Sequence, residues 1–189
     1  MSSSNRKPPP PGERFKLTLI SLSNIMSREM DSARAKNIPT INKSIVDFGI
    51  ELIKNTNGDI IAGGFISRSF NENNKSLNNY WDKILAKDEE FFMSKENSSV
   101  LFGELSSGIV DGFINLVRER HISDKMMDSI WQHLTAMVKM SIAFVYLERK
   151  PQLQKIDDGF SIKYTNKCRE HIDLEGEASK WGVDLTQIK

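Results

Sequence analysis

Residues 123–150 constrain this chain more than any other stretch. Met126, Met127, Ile130, Trp131, Leu134, Met137, Val138, Ser141, Ile142, Phe144, Val145 and Leu147 recur at helical spacing, and from 136 to 147 the segment is apolar almost all round. Ser123 and Asp124 are good helix caps, Glu148-Arg149-Lys150 returns to solvent, and Pro151 stops the helix. At a rise of roughly 1.5 Å per residue such a helix spans about 40 Å, enough to cross a small domain. A helix apolar on every face must be surrounded by others. The expected fold is therefore all-α: a globular bundle of about six helices around this one. His133 and Lys139 interrupt the apolar run, so no membrane span is expected.

The remaining periodic segments supply the surround. Leu19, Leu22, Ile25, Met26, Met30 and Ala33 predict a helix over 15–36, closed by Lys36-Asn37 ahead of Pro39. A second helix starts at Thr40 or Asn42, with Ile45, Val46, Phe48, Ile50, Leu52 and Ile53 on its apolar side, and ends in the turn residues 55–58. Asp59 caps a segment over 60–70 that carries Gly63 and Gly64, read as a site of close helix packing or a kink; a short β-hairpin at Ile60-Ile61 and Phe65-Ile66 competes with the helix. Residues 71–75 read as a polar loop, 76–92 as a helix with Leu77, Tyr80, Trp81, Ile84 and Leu85 in its stripe, and 109–119 as a helix with Val110, Phe113, Ile114 and Val117 inward. The expected core is Trp81, Phe92, Phe113, Ile130, Trp131, Leu134, Val138, Ile142 and Val145.

The two ends read differently. Residues 1–13, with Ser2 to Ser4 and four consecutive prolines, are expected to form a disordered, polyproline-prone leader. The bundle then covers 14–150. Residues 151–189 have sparse apolar anchors and form an extension that packs on the bundle or on a partner, with a strand at 160–164, a turn or two of helix at 166–172, and Trp181-Gly182 pinning the end. The start is polar and has no apolar h-region, and one cysteine, Cys168, allows no internal disulfide. The expected location is cytoplasmic.

Chemistry-bearing residues are few. The +1 net charge says nothing about partners, and the basic clusters Arg6/Lys7/Arg14/Lys16 and Arg118/Arg120/Lys125 sit in no nucleic-acid-binding motif, so no sequence-specific nucleic-acid partner is expected. Cys168-x-x-His171 has metal-like spacing, but a structural zinc site needs four ligands, so no metal is expected. As a nucleophile and base the same pair would sit in a wet segment. His121, Asp124, Asp128 and His133 gather near the start of the long helix, where carboxylates belong on electrostatic grounds alone. Asp88, Glu89, Glu90 and Glu96 alternate with Lys83, Lys87 and Lys95 and read as a solvated face. The glycines at 63–64 match no phosphate-loop pattern. No cofactor is expected.

Tyr80-Trp81-Asp82-Lys83-Ile84, Asp88-Glu89-Glu90-Phe91-Phe92, Phe102, Ile130-Trp131 and Val138-Lys139-Met140-Ser141-Ile142, in this order, resemble a group of small helical proteins of nucleocytoplasmic large DNA viruses. The likeness covers residues 80–147 and assigns no functional residue. It implies a protein made in host cytoplasm with a virion or host-interaction role.

The reading that follows is a non-enzymatic interaction or structural protein with a protein partner, a homo-oligomer remaining open. The first alternative is a regulatory module whose groove takes a partner helix. A bundle around an apolar helix resembles the Bcl-2-type regulators, although Val110-Asp111-Gly112-Phe113 stands where that family's Asn-Trp-Gly-Arg signature belongs. The second is an enzyme whose pocket is lined by His121 or His133 with carboxylates.

Overall fold

The computed structural model describes residues 8–73, 76–94, 97, 107–149 and 172–188. The expectations for Arg6, Lys7, Lys95, Glu96, Phe102, Cys168, His171, the strand at 160–164 and nearly all of the 166–172 turn lie outside these residues.

The described residues form a helical bundle with one small hairpin. Helix α1 (Pro11–Ala35) starts four residues ahead of the expected Phe15, so the last three residues of the proline-rich leader belong to the bundle. Pro11 occupies the first helical position, where a missing N–H costs nothing. Phe15, Leu19, Leu22, Met26, Met30 and Ala33 form its buried stripe. Its end is a left-handed Asn37, with Ile38 N–H donating to Ala33 O at 3.0 Å. Asn42 caps α2 (Lys43–Asn55), its Oδ1 accepting from Ser44 N–H at 2.9 Å.

Asn57, rather than Asp59, caps α3 (Gly58–Ser69). The helix is continuous through both glycines: a Cβ on Gly63 would meet nothing within 4 Å, and one on Gly64 would meet the end of the Arg68 side chain at 3.1 Å. The close approach lies instead between Gly58 and Gly12: a Cβ on Gly58 would fall 2.5 Å from the Gly12 carbonyl oxygen. Local β-propensity at 60–66 thus yields to burial, because Ala62, Phe65 and Ile66 pack against α1 at helical spacing. A hairpin does form, ten residues later: β1 (Phe70–Asn73) pairs antiparallel with β2 (Ser76–Asn79), Phe70 opposite Asn79.

The helix expected over 76–92 is therefore a strand and two short helices, α4 (Trp81–Leu85) and α5 (Glu89–Met93). Two side chains make the breaks. Asn79 Oδ1 accepts from Trp81 N–H at 3.0 Å, and Asp88 Oδ1 accepts from Phe91 N–H at 3.0 Å after a left-handed Lys87. Helix α6 (Ser107–Arg118) follows, then α7 (Asp124–Arg149), whose first turn is capped by Ser123 Oγ accepting from Met126 N–H at 3.3 Å.

The nine expected core residues are all buried. Phe92 stacks at 5.9 Å from Trp131, and Trp81 meets Phe70 edge-on at 4.7 Å. α7 lies along α1 and touches α3, α4 and the C-terminal helix α8 (Leu174–Trp181), while α2, among the described residues, leans chiefly on α1 and α6. α7 is not covered on every face. Gln132 and Lys139 are exposed and Ala136 and Ala143 half-buried, one strip open to solvent. No helix among the described residues is long and apolar enough to cross a membrane.

The described end of the chain packs on the bundle. Leu174, Ala178 and Trp181 are buried. The buried Glu177 carboxylate accepts from Asn79 Nδ2 at 2.8 Å, Lys180 Nζ at 2.9 Å and Trp181 Nε1 at 3.1 Å. Lys180 also reaches Asp82 at 2.7 Å. A buried carboxylate with three donors avoids the penalty of an unpaired charge, so the clamp holds α8 to the hairpin and α4.

Candidate interaction surface

The six apolar residues of α2 do not share one side. At roughly 100° per residue, Val46, Ile50 and Ile53 fall within about 60° of one another, and Ile45, Phe48 and Leu52 fall within about 60° on the opposite side. Val46 and Ile50 are buried against the bundle. Ile45, Phe48 and Leu52 are 50, 71 and 41% exposed. Among the described residues α2 packs mainly through Val46 and Ile50, and its second apolar stripe stays largely exposed.

Charge borders the stripe asymmetrically. Glu51 and Asp47 lie on its near flank and are exposed. The lysines stand farther round and are engaged, Lys54 with Glu51 at 2.6 Å and Lys43 with Asp31 at 2.7 Å. Asp31 also accepts from Arg34, whose guanidinium reaches the Ile41 carbonyl, and its carboxyl is held below the usual range chiefly by the Lys43 hydrogen bond. Together these contacts fix the entry of α2. Gly112 of α6 completes the support: a Cβ there would fall 2.5 Å from Ile41 Cγ2, so only glycine lets α6 come this close to the loop that leads into α2. This glycine belongs to the Val110–Phe113 stretch weighed against the Bcl-2-type signature. The surface it props up is a projecting stripe, and the two open grooves described below lie elsewhere.

The first groove, about 370 Å³, lies between α1 and α7 and is lined by Leu17, Thr18, Ser21, Gln132, His133 and Ala136. His133 Nδ1 stands 2.7 Å from the Ser129 carbonyl, which can only accept, so the neutral ring carries its proton on Nδ1. Nε2 then accepts from the Ser21 hydroxyl at 3.0 Å. Hydroxyl, imidazole and an orienting carbonyl are the parts of an activated nucleophile. No carboxylate among the described residues lines the groove, and the surrounding backbone N–H groups belong to helix interiors, where the ladder already uses them. The pair ties α1 to α7. The second groove, about 330 Å³, is bordered by Lys87, Asp128, Trp131, Thr135 and Lys139, with Lys87 paired to Asp128 at 2.9 Å.

The other candidates disperse. His121 is exposed and 3.3 Å from Glu119, away from His133. Asp88 caps α5 and pairs with Lys83 at 2.7 Å; this hydrogen bond, followed by the Phe91 N–H, holds its carboxyl below the usual range. Glu89 and Glu90 are exposed. Lys16 bonds to Glu13 at 3.0 Å, which removes it from the basic arm it shares with Arg14. Among the described residues no three His, Cys, Asp or Glu side chains gather as a metal site.

The stripe on α2 was legible in principle: the 45, 48, 52 spacing is in the sequence, but grouping all six residues on one side hid it. The Ser21–His133 contact, 112 residues apart, left no local signal.

No protein-family model, curated protein or solved structure matches this chain.

Proposed function

We propose that this chain is a non-enzymatic protein-binding module in which α2 is the anchor helix. The observation that carries the reading is Phe48, a large aromatic 71% exposed between Ile45 and Leu52. Side chains at i, i+3 and i+7 on one helix face are the anchors that apolar grooves receive. The occupant is a partner protein with an apolar groove and a basic rim, because Glu51 and Asp47 border the stripe. A second copy of this chain fits less well. A two-fold pairing of stripe on stripe would bring the two acidic flanks together, whereas a basic rim complements them. The resemblance of residues 80–147 to helical proteins of large DNA viruses supports a virion or host protein as that partner, met in the cytoplasm.

The test is affinity purification of the tagged full-length protein and of Phe48→Glu, followed by direct titration of the recovered partner with both purified proteins. Phe48→Glu is expected to lose the partner at least tenfold while melting like the wild type, and added salt is expected to weaken the wild-type complex. Equal binding by both proteins overturns the proposal. So does a partner lost only through unfolding, or self-association that Phe48→Glu abolishes.

A further inference from the structure

Residues 118–123, the end of α6 and its link to α7, carry an arginine pattern that the α2 surface does not use. Arg118 and Arg120 stand five and three positions ahead of Ser123. Both arginines, His121 and Ser123 are exposed, and Ile122 is the one buried residue between the two helices. Arg118 spends one guanidinium nitrogen on the Met93 carbonyl at 2.7 Å and stays exposed. Arg120 is left-handed, at φ 58°, which turns the chain sharply out of α6. Two arginines at these offsets before a hydroxyl are what the acidic substrate grooves of arginine-directed serine/threonine kinases read, by charge-assisted pairing of guanidinium with carboxylate.

We propose that Ser123 is a phosphorylation site for a kinase of this class, and that the phosphate strengthens the start of α7. In the transfer, the Ser123 hydroxyl oxygen attacks the γ-phosphorus of ATP. The bond from that phosphorus to the β–γ bridging oxygen breaks, ADP leaves, and the hydroxyl proton passes to the kinase's catalytic base. Ser123 Oγ already accepts from Met126 N–H at 3.3 Å. A phosphate there adds about −1.5 to −2 charges and three strong acceptors where the first N–H groups of α7 lack helical partners. Arg120 and Lys125 are the cations nearest in sequence and His121 the titratable group; Glu119 and Asp124 oppose the added charge, Glu119 lying 3.3 Å from His121. The helix N-terminus and the basic side chains outweigh the two carboxylates, so the modified chain melts higher.

The experiment incubates the folded full-length protein with an arginine-directed kinase, Mg²⁺ and ATP, maps the product by mass spectrometry, and compares melting before and after. Ser123 is expected to be the main site, Ser123→Ala to remove it, and Arg118→Gln with Arg120→Gln to slow labelling at least tenfold. The phosphorylated protein is expected to melt roughly 2 °C higher. Labelling of the heat-unfolded chain without labelling of the native one overturns the proposal, as does modification that ignores both arginines. A fall in Tm on phosphorylation refutes the strengthening of α7. These outcomes are independent of the α2 surface, since no residue of α2 is altered.

Discussion

α7 and α2 carry the same kinds of side chain to opposite fates. In α7, Met137, Val138 and Ile142 are sealed from solvent, and the open strip along Gln132, Ala136, Lys139 and Ala143 holds no large apolar residue. In α2 the largest side chain, Phe48, faces water. What separates the two is how apolar residues are shared among the faces, more than how many there are. α7 touches α1, α3, α4 and α8, so nearly every face finds a neighbour. α2 divides six apolar residues into two stripes, and among the described residues only one of them is buried.

The largest expected effect breaks this comparison if it fails. Ile142→Asp or Val138→Asp puts an unpaired charge where no solvent reaches and is expected to cost at least ~4 kcal/mol, enough to unfold the domain. Phe48→Asp, the same kind of change on α2, is expected to stay within about 0.5 kcal/mol of the wild type in urea denaturation. Equal destabilisation by both would mean that the α2 stripe is covered and the contrast is wrong.

A smaller effect sharpens it. Gly112→Val forces a branched side chain onto Ile41 and is expected to cost about 1–3 kcal/mol through overpacking. Hydrogen exchange locates the damage: amides of α2 are expected to lose protection while those of 134–145 in α7 keep theirs. Uniform loss across both helices would show that α2 is an integral part of the core.

How far the sequence reached follows the same division. The long helix and the nine core positions, six of them on it, were legible because burial on many faces leaves a dense apolar record. The stop at Asn37 ahead of Pro39 was legible, and the start of α2 was narrowed to Thr40 or Asn42, because such signals act on their own neighbours. Three features were not. The break of residues 76–92 into a strand and two short helices hinges on Asn79 and Asp88, polar residues that a stripe of Leu77, Tyr80, Trp81 and Ile84 outweighs by eye. The start of α1 at Pro11 was hidden by a proline run that favours extended chain until its last member meets a helix. The double stripe of α2 was hidden because periodicity shows which residues share a face, whereas what covers that face is decided by tertiary contacts such as Gly112 on Ile41.

The smallest expected effect concerns the polar junction where α2 hands over to α3. Asp59 is half-buried, and burial, followed by the charge of Glu13, pushes its carboxyl above the ordinary value. Around it Glu13 Oε1 accepts from Gly58 N–H at 3.2 Å, and Lys16, paired with Glu13, donates to the Thr56 carbonyl at 3.4 Å. A carboxyl raised in the folded state favours folding while protonated. Its contribution is fully present below the unfolded value of about 3.9 and is lost as pH rises through the folded value. Asp59→Asn keeps the shape and removes the titration, so its Tm relative to wild type is expected to climb as pH goes from about 4 to 7, by a margin that solvent screening keeps below about 1 kcal/mol. The comparison gains a pH axis, because Met137, Val138 and Ile142, the sealed residues of α7 named above, carry no titratable group to respond. A Tm difference that stays flat or falls over that range would mean that the α3 N-terminus, which favours a negative charge at Asp59, outweighs the cost of burying it.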